Sequence, residues 1–408
     1  MLGNAGRRAD VLRVIALDGP IPRTRIADAL GVSSATVTTI TRELIESGLV
    51  TMSGKRPASG RRGRPLEMLS IAPDAATVLG AKVSDDHVTA VTTDLRGSIT
   101  GRWVLPFDPR DDDAAGRLAR LLLDTVGDVP LVGVGLGVPG TVANGDAGAV
   151  TTPMFGWRDL PLGSIASDVL GVPVVVDNDV NTLATWQHLH GAARDVENFL
   201  TVTIGRGIGL GVHLDGAVRR GRGGAGELGH TLVIIDGPPC DCGRRGCLEA
   251  IAAEPAMVAQ ARDRGIIGPD DGIDDLRLLA KDSEEAAEVF ATAGAHLGRA
   301  VANLVNLLAP DAIVVAGEGV VAWPLLAEGF VPAFEAGILD VHTDTTVIVE
   351  PWADDAWAQG AAALVLGWVL GASPDTAGPS ASSPAGDLFA TDSDGLGQGG
   401  ADHEAVTA

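Results

Sequence analysis

The sequence predicts an α/β protein with a small helical domain at its N-terminus. Apolar residues recur at helical spacing through the first 70 residues, whereas from about residue 75 short apolar strands alternate with helical stretches as far as Gly371. The chain has 408 residues, of which 46 % are hydrophobic, and is long enough for several domains with large cores. A third observation concerns chemistry, because all three cysteines stand in CDCGRRGC at 240–247.

Charge is distributed unevenly along the chain. Residues 1–70 carry eleven Lys/Arg against six Asp/Glu, whereas the remainder carries 19 against 47, within a net charge of −23. A basic head on an acidic body indicates that only the head meets a polyanion. The chain has neither 18 consecutive uncharged apolar residues nor a signal-peptide core, so we expect a cytoplasmic protein with no membrane partner.

The head is predicted to form three helices and a hairpin. RRADVLRVIAL gives the first helix, TRIADALG gives a second that ends at Gly31, and SSATVTTITRELIESG gives a third between a Ser33 or Ser34 cap and Gly48. The core of the last two helices is predicted to contain Ala27, Leu30, Val37, Ile40 and Leu44. LVTMSGKRPASGRRGRPLEMLSI then alternates like two strands around a tip rich in glycine and arginine. This order is typical of a winged helix-turn-helix DNA-binding domain, which we assign to residues 1–72.

Two sets of side chains in the head are candidates for DNA contact. Short hydroxyl groups and one arginine on the outer face of the third helix can approach base edges and phosphates; they are Ser34, Thr38, Thr39 and Arg42. Five cations at the hairpin tip can lie along the phosphate backbone or in the minor groove; they are Lys55, Arg56, Arg61, Arg62 and Arg64. The alternative is a plain helical pair with a solvated basic loop.

The α/β body is expected to span residues 73–371. Strands are predicted within HVTAVTTDLRG, LVGVGLGVPG, VPVVVDND, FLTVTIGRGIGLGVHLDG and AIVVAGEG. Helices are predicted at about 112–126, 180–191, 248–264, 284–308 and 354–370. Residues 372–408 are rich in Ser, Pro, Gly, Ala and Asp and contain few large apolar groups, so we expect them to form a disordered tail.

The cysteines stand with a histidine at a spacing typical of metal ligands. The four candidate ligands are His230, Cys240, Cys242 and Cys247. Such a set suits a tetrahedral zinc ion and leaves no position open for water, so the predicted zinc is structural. The alternatives are a disulfide or free thiols. One intervening residue strains a Cys240–Cys242 bridge, and any pairing leaves one cysteine over.

The glycine-rich loop at 135–140 is not expected to bind a dinucleotide. Gly135, Gly137 and Gly140 match the G-x-G-x-x-G fingerprint. A dinucleotide site also requires a helix to begin here, whereas VPGTVANGDAGAV is typical of a turn and hairpin.

A candidate ligand site follows the strand VPVVV. This strand ends in Asp177, Asn178 and Asp179, at the edge where α/β proteins bind ligands, and Asp179 can act as general base toward a sugar hydroxyl. The alternative is helix capping, for which Asp and Asn are favoured. Around the cysteine motif, Glu227, His230 and Glu249 supply acceptors and an imidazole suited to a polyhydroxylated ligand, with the zinc holding His230 toward it.

Five stretches resemble the signature of the ROK (repressor, open reading frame, kinase) family over roughly residues 5–370. They are GVPGTV, DNDVN, TIGRGIGLGVHLDGAVRRGRGGAGELGH, CDCGRRGCLE and AIVVAGEGV. The resemblance implies an actin- and hexokinase-like (ribonuclease H-like) body of two lobes with a sugar cleft between them. It implies the same four zinc ligands. It also implies a sugar pocket of Gly140, Asn178, Asp179, Glu227, His230 and Glu249, in which Asp179 matches the catalytic base of the family's kinases.

Three departures from the family kinases fall on the nucleotide side. The kinases carry an acidic-x-Gly-Gly-Thr turn where this chain has LGAKVSDDHVTAV, with Lys82 or a neighbour in place of the acid. Arg206 replaces the threonine of a second, Gly-Thr-Gly, turn, and Glu318 stands in a glycine run near the adenosine. We therefore expect that ATP is no longer bound and that sugar binding is retained.

The sequence thus predicts a sugar-responsive transcriptional regulator, a repressor of carbohydrate-related genes rather than an enzyme. It is expected to bind operator DNA as a homodimer or homotetramer, with a sugar or sugar derivative as its effector. The main alternative, kept open by Asp179, is an ATP-dependent, glucokinase-like sugar kinase that carries a DNA-binding head. A regulator without a sugar, controlled by a phosphoprotein or another partner, is the third possibility.

Overall fold

The computed structural model describes residues 4–56, 65–143, 148–353 and 355–371. This part of the chain falls into two compact units, one that ends at Ala72 and one that begins at Pro73. The predicted tail and three of the predicted DNA contacts, Arg61, Arg62 and Arg64, lie outside the described residues. In the ranges described, no helix combines the length and apolar character that crossing a membrane requires.

The N-terminal unit contains the predicted helices and hairpin. Its elements are α1 (Asn4–Asp18), β1 (Ile21–Pro22), α2 (Arg23–Leu30), α3 (Ser34–Glu46), β2 (Val50–Arg56) and β3 (Leu66–Ile71). Ser33 caps α3, since its hydroxyl accepts the N–H of Thr36 at 3.1 Å. Gly31 ends α2 with a φ of 62°, a left-handed conformation that favours glycine. The turn between the two helices is therefore set by local sequence.

The core of this unit is larger than the periodicity predicts. Buried apolar side chains come from all three helices and from β3; they include Leu12, Ile15, Ile26, Ala27, Val37, Ile40, Leu44 and Leu69. Leu30, predicted to belong to this core, is only half-buried at the end of α2. The short strand β1 was not predicted; it pairs with β3 and makes a three-stranded sheet in the order β1-β3-β2.

The second unit contains two five-stranded sheets and one small sheet. Its strands are β4 (Thr77–Val83), β5 (His87–Thr93), β6 (Ile99–Pro106), β7 (Leu131–Val138), β8 (Thr141–Val142), β9 (Ala149–Thr152), β10 (Trp157–Pro161), β11 (Val174–Asn178), β12 (Phe199–Ile204), β13 (Ile208–Leu214), β14 (Ala217–Val218), β15 (Ala312–Ala316) and β16 (Thr346–Val349). The sheet orders are β11-β7-β4-β5-β6, β14-β13-β12-β15-β16 and β10-β9-β8.

The two large sheets repeat one topology. In each, the first three strands form an antiparallel meander, and two later strands extend the sheet in parallel on the other side of the first strand. In one sheet β7 pairs with β4 and β11 pairs with β7; in the other β15 pairs with β12 and β16 pairs with β15. Each sheet has its own apolar core. This duplication confirms the predicted two-lobed α/β body; the lobe built on β4 is called the first lobe and that built on β12 the second lobe.

Helices of the second unit cover the sheets. They are α4 (Ala114–Val126), α5 (Leu162–Leu170), α6 (Asp179–Leu189), α7 (Glu249–Ala252), α8 (Glu254–Asp263), α9 (Ile273–Leu279), α10 (Glu284–Leu308), α11 (Trp323–Glu335) and α12 (Ala356–Val369), with short 3-10 helices at Leu228–His230, Glu318–Ala322 and Asp340–His342. The helix predicted over 248–264 is divided at Ala253, which is extended with a ψ of 153°. Pro255 explains the break, because it has no N–H to donate to Ile251 O as a continuous helix requires, whereas proline is tolerated in the first turn of a new helix.

Helix α12 packs very closely on the first sheet. A Cβ on Gly80 of β4 or Gly135 of β7 would overlap the backbone of α12 at Ala358 or Ala361. Residues Ala361–Leu366 of this helix are fully buried. The absence of side chains at these two glycines therefore sets the distance between helix and sheet.

Candidate ligand and metal site

Four potential metal ligands converge in the segment after β14. One nitrogen or sulfur atom from each lies within 4.8 Å of the others; the residues are His230, Cys240, Cys242 and Cys247. The cysteines stand on a tight loop in which Cys240 N–H donates to Arg244 O at 2.8 Å. Gly243 and Gly246 take positive φ values of 84° and 75°, which glycine adopts without steric cost. The structure thus brings the predicted ligand set to one point.

The sulfur geometry favours a metal over a disulfide. Cys242 Sγ and Cys247 Sγ lie 3.6 Å apart, whereas a disulfide bond is about 2.05 Å long. Two sulfurs bound at about 2.3 Å to one tetrahedral zinc ion stand about 3.8 Å apart, close to the observed spacing. His230 Nδ1 is the ring atom on the thiol side, 3.6 Å from Cys240 Sγ. The donor set and its spacing therefore fit a zinc ion.

The thiols of this cluster differ in acidity. Burial raises the pKa of Cys240 to about 12 and also raises the pKa of Cys247. A hydrogen bond from the Arg244 guanidinium lowers the pKa of Cys242 to about 6. Because the thiolate is the form that binds metals, Cys242 is the thiol of the three that most readily takes its binding form.

Asn178 and Asp179 lie where β11 ends and α6 begins. Asn178 caps the helix, since its Oδ1 accepts the N–H of Val180 at 2.9 Å, and its Nδ2 donates to Gly140 O at 2.9 Å. Helix capping, the alternative to ligand binding, is therefore the role that the structure gives to Asn178. The same side chain also holds the predicted residue Gly140 beside it. Gly140 has a φ of 100°, and a Cβ there would press on the backbone of Thr151, so the position requires glycine.

Asp179 forms an ion pair that the sequence did not predict. Lys82 Nζ, at the carboxyl end of β4, donates to Asp179 Oδ2, and the two side chains are 13 % and 14 % exposed. The ammonium also lies 4.9 Å from the centre of the Trp357 ring, within the range of a cation–π contact. One carboxylate oxygen of the residue that matches the kinase base is thus engaged by a lysine of the same chain.

A second buried ion pair joins β11 to the loop that leads to Glu227. Arg220 Nε donates to Asp177 Oδ2 at 2.6 Å, and the side chains are 14 % and 5 % exposed. Asp177 also accepts from Asn181 Nδ2 at 3.0 Å, so its buried charge is well satisfied. Sequence reasoning missed Arg220, because nothing in RRGRGG distinguishes a buried arginine from a solvated one.

The remaining candidates belong to the second lobe. Glu249 begins α7 and its Oε2 accepts the N–H of Ile208 at 3.2 Å, while its Oε1 lies 3.9 Å from His230 Nδ1. Glu227 directly precedes the 3-10 helix that ends at His230 and is exposed. The structure therefore brings His230 and Glu249 together and leaves Glu227 at the surface of the same segment.

The two groups of candidates are linked by packing rather than by polar contacts. Within the described ranges, no hydrogen bond or ion pair joins Asn178 or Asp179 to His230 or Glu249. Instead, strand β13 lies directly against the start of α6, because Gly209 faces Val180 with no room for a side chain between them. The six predicted sugar-binding residues thus occupy neighbouring elements of the two lobes.

The two turns that the resemblance assigns to nucleotide phosphates are tied together by charges of the protein itself. In the turn between β12 and β13, Arg206 N–H donates to Glu318 Oε1 at 3.1 Å. Its guanidinium binds both carboxylate oxygens of Asp85, at 2.6 and 2.8 Å, in the turn between β4 and β5. These hydrogen bonds hold the pKa of Asp85 below its ordinary value. Burial beside Glu318 also raises the pKa of Glu254 to about 7.

The predicted DNA face of α3 is exposed. Ser34, Thr38, Thr39 and Arg42 are all exposed, whereas the buried residues of this helix are Val37, Ile40, Thr41 and Leu44. The hydroxyls of Thr38 and Thr39 donate to Ser34 O and Ala35 O within the helix, which leaves their oxygens able to accept further hydrogen bonds. Lys55 and Arg56, at the end of β2, are exposed as well.

Comparisons with known proteins agree with both units. Residues 119–367 match the description ROK family, and residues 8–51 match the description Winged helix-turn-helix DNA-binding. The chain is 29 % identical over 329 residues to the xylose repressor of Bacillus spizizenii, an alignment that covers 78 % of this chain and 83 % of that protein.

Two solved structures are similar over most of their length. One is a ROK family transcriptional regulator, a homolog of the E. coli MLC protein, at 26 % identity and a TM-score of 0.77, covering 95 % of this chain and 98 % of that one. The other is a ROK family glucokinase from Streptomyces griseus in complex with glucose and AMPPNP, at 26 % identity and a TM-score of 0.63, covering 71 % of this chain and 99 % of that one. The glucokinase therefore leaves out close to a third of this chain.

Proposed function

The chain belongs to the ROK family, and from this premise we propose that it is a transcriptional regulator whose DNA binding responds to a sugar. Residues 1–72 form the DNA-binding domain and residues 73–371 the sugar-binding body. The relatives that span head and body together are named as a repressor and a transcriptional regulator. Repression of carbohydrate-related genes is the role that fits them, and such a role belongs in the cytoplasm with the DNA.

The observation that carries this proposal is the state of the nucleotide side. Glu318 accepts the Arg206 N–H, and Asp85 takes the Arg206 guanidinium. The N–H and the guanidinium of Arg206 would both have to be free to hold nucleotide phosphates. The carboxylates of Glu318 and Asp85 also repel phosphates. Lys82 is paired with Asp179, and the resemblance implies that Lys82 or a neighbour replaces an acidic residue of the kinases. A body with these contacts supports sugar recognition without phosphoryl transfer.

Zinc is proposed as a structural cofactor of the body. His230, Cys240, Cys242 and Cys247 would hold it with four protein ligands, which leaves no open position for water or substrate. The ion would fix the loop that carries His230 and, through His230, the neighbouring Glu249. The metal is thus assigned the task of ordering one side of the sugar pocket.

Sugar binding would control the protein by shifting an equilibrium between two arrangements of its lobes. A homodimer or homotetramer presents two heads to an operator of two-fold symmetry, and only one arrangement presents them at the half-site spacing. A sugar that binds the other arrangement more tightly lowers DNA affinity. A 100-fold release of DNA requires about 2.7 kcal/mol of such differential binding.

A thermal-shift experiment on the full chain tests the proposal. Xylose, glucose and N-acetylglucosamine are titrated with and without ATP and Mg²⁺. We expect one sugar to raise the Tm and ATP to have no effect of its own, since only a ligand of the native state stabilises it. Glu249→Gln should weaken the response to sugar, whereas the exposed control Glu335→Gln should keep it. A protein that responds to none of the sugars would instead fit the regulator governed by another partner.

The kinase alternative rests on Asp179 and on the likeness to the glucokinase. It is separated from the proposal by a coupled assay for ADP release across the same sugars. The contacts of Lys82, Arg206 and Glu318 lead us to expect no turnover. ATP-dependent phosphorylation of one sugar at an enzyme-like rate of about 1 s⁻¹ or more would contradict the proposal and establish the kinase.

A further inference from the structure

The Lys82–Asp179 pair lies inside the proposed sugar pocket and bears on which form of a sugar enters it. We infer that this pair makes the pocket selective for a neutral, unphosphorylated sugar over the phosphate ester of the same sugar. The inference rests on the proposed function, because it concerns the effector of that same site.

The pair is a product of sheet register. Strands β4, β7 and β11 are parallel, and Lys82, Gly137 and Asp177 lie in one row across them. The central position of this row has no side chain. Asp179 follows two residues after Asp177, at the edge where the carboxyl ends of all three strands meet. Lys82 can therefore reach across the glycine and donate to Asp179 Oδ2.

The charges at this edge of the sheet cancel. Lys82 is paired with Asp179, and the neighbouring Asp177 is paired with Arg220. Three of the four side chains are 13 % or 14 % exposed and Asp177 is 5 % exposed, so the pairs are largely shielded from solvent. The Trp357 ring against the ammonium supplies an apolar wall. The charges of these four side chains thus sum to zero, and each of the two cations has a carboxylate as its counter-charge.

A phosphate group gains little at such a place. Its attraction to Lys82 is opposed by repulsion from Asp179 over a similar distance, since the two charges are in contact. The phosphate would also lose hydration on entering a site that is mostly shielded from water. A phosphate-binding pocket instead offers unpaired arginines, lysines or backbone N–H groups.

A sugar hydroxyl matches the pair in both directions. It can donate its proton to Asp179 Oδ1, which accepts the Val180 N–H at 3.0 Å and has a second lone pair for a further hydrogen bond. It can also accept a hydrogen bond from Lys82, whose ammonium has three N–H donors and uses one on Asp179. Both bonds are to charged groups and so are stronger than bonds between neutral groups. The ion pair therefore serves as a joined donor and acceptor for one hydroxyl.

Isothermal titration calorimetry on the full chain tests the inference with two matched pairs of probes. These are glucose with glucose 6-phosphate, and N-acetylglucosamine with N-acetylglucosamine 6-phosphate. We expect the better-bound neutral sugar to bind at least about tenfold more tightly than its phosphate. Asp179→Asn should move the preference toward the phosphate by about tenfold, because it leaves the Lys82 charge unpaired. Lys82→Met should weaken binding of the neutral sugar and should not strengthen binding of its phosphate.

The control is Asp274→Asn, which removes a carboxylate from an exposed pair with Arg277 on α9 and should leave both affinities unchanged. Tighter binding of a phosphate to the wild-type protein, with release of DNA, would overturn the inference and leave the proposed function intact. If both the Asp179→Asn and the Lys82→Met proteins still prefer the neutral sugar to its phosphate, the ion pair does not determine this selectivity. Failure of all four probes to bind the wild-type protein would count against the inference, whereas the proposed function would then be decided by the thermal-shift response to xylose.

Discussion

Arg206 and Lys82 are two cations in the stretches that the resemblance to the family kinases assigns to the nucleotide side. Arg206 binds Asp85 through its guanidinium, and Lys82 binds Asp179. Each cation thus binds a carboxylate of the same chain. One side chain in the turn after β12 and one at the carboxyl end of β4 therefore carry the proposal that the cleft no longer accepts a nucleotide.

At the same scale, Cys242 tests the metal assignment. Cys242→Ser removes one of four ligands, and we expect the zinc content to fall from about one per chain to near zero, with loss of the loop structure it holds. Metal analysis of purified protein by mass spectrometry gives the answer. Asp241→Asn is the matched control, because Asp241 is exposed in the same loop and is not a ligand. Full zinc content in the Cys242→Ser protein would refute the ligand set.

Two buried histidines predict how stability depends on pH. Burial lowers the pKa of His190 and of His213 to about 4 each. In the unfolded chain a histidine has a pKa of about 6.5, so between pH 6.5 and 4 the unfolded state binds more protons than the folded one. The contribution of each histidine to the free energy of unfolding is therefore fully present above about pH 6.5. It is lost as the pH decreases toward 4, by about 2–3 kcal/mol per histidine.

Urea unfolding at several pH values measures this loss, and a substitution isolates one histidine. His213 Nδ1 meets Glu197 O at 3.0 Å, a contact that an asparagine amide can keep. His213→Asn should flatten the stability profile between pH 6.5 and 4 relative to the wild-type protein. The pKa of Glu254 is raised to about 7, so this group makes the folded state more stable as the pH falls. Its effect is the same in the wild-type and His213→Asn proteins and cancels when their profiles are compared. Equal slopes in the His213→Asn and wild-type proteins would contradict the assignment.

At the scale of elements, the seat of α12 on the first sheet depends on glycine. Gly135→Ala places a Cβ against the Ala361 carbonyl, backbone against backbone, so the helix has to shift. We expect a loss of at least about 1–3 kcal/mol of stability, measured by urea unfolding. Gly224→Ala is the control, because its Cβ would lie 3.5 Å from Thr141 Cγ2, an ordinary contact, and would meet nothing on α12. Equal costs for the two substitutions would mean that α12 is not held at this distance.

The hairpin beside α3 gives the next test. Lys55→Ala with Arg56→Ala removes two exposed cations of β2 and should weaken binding to all DNA sequences alike. The slope of log K against log salt should become less steep by about 2, since about 0.9 counterion is released per phosphate contact. Removing Arg264 and Arg277 from the body takes away the same charge and should not change the slope. An unaltered slope in the Lys55→Ala, Arg56→Ala protein would exclude the hairpin from the interface.

Much of the element order was predictable, because periodicity and local caps determine it. The long helix α10 spans residues Glu284–Leu308 as predicted, opened by Ser283, whose hydroxyl accepts the N–H of Ala286. The short strands β1 and β16 were not predicted, since two to four residues give no measurable period and their pairing partners are distant in sequence. Tertiary pairing rather than local preference forms such strands.

The candidate site was predictable only where its residues are close in sequence. The metal ligands lie in one segment with a recognisable spacing, so the cluster was predicted in full. Lys82 and Asp179 are 97 residues apart, and their contact depends on the register of three strands that no local pattern reveals. Arg206 and Asp85, separated by 121 residues, were missed for the same reason. The sequence predicted which residues are unusual and not which of them meet.

At the scale of the whole molecule, the charge distribution separates the two tasks. The first 70 residues carry an excess of basic groups, whereas the rest of the chain is strongly acidic. An acidic body repels the DNA backbone, so binding energy comes from the head and its few cations. Under the proposed function, that energy depends on a small number of contacts, so a modest coupling to the sugar would be enough to release the DNA at physiological salt.

The central claim is that a sugar acts on this protein without a nucleotide. The most direct measurement is the affinity of the full chain for its operator, by fluorescence anisotropy, with sugar alone, with ATP and Mg²⁺ alone, and with both. We predict a change of about 10-fold or more with sugar alone, no change with ATP alone, and no addition from ATP when sugar is present. DNA affinity that changes only when sugar and ATP are supplied together would contradict the account.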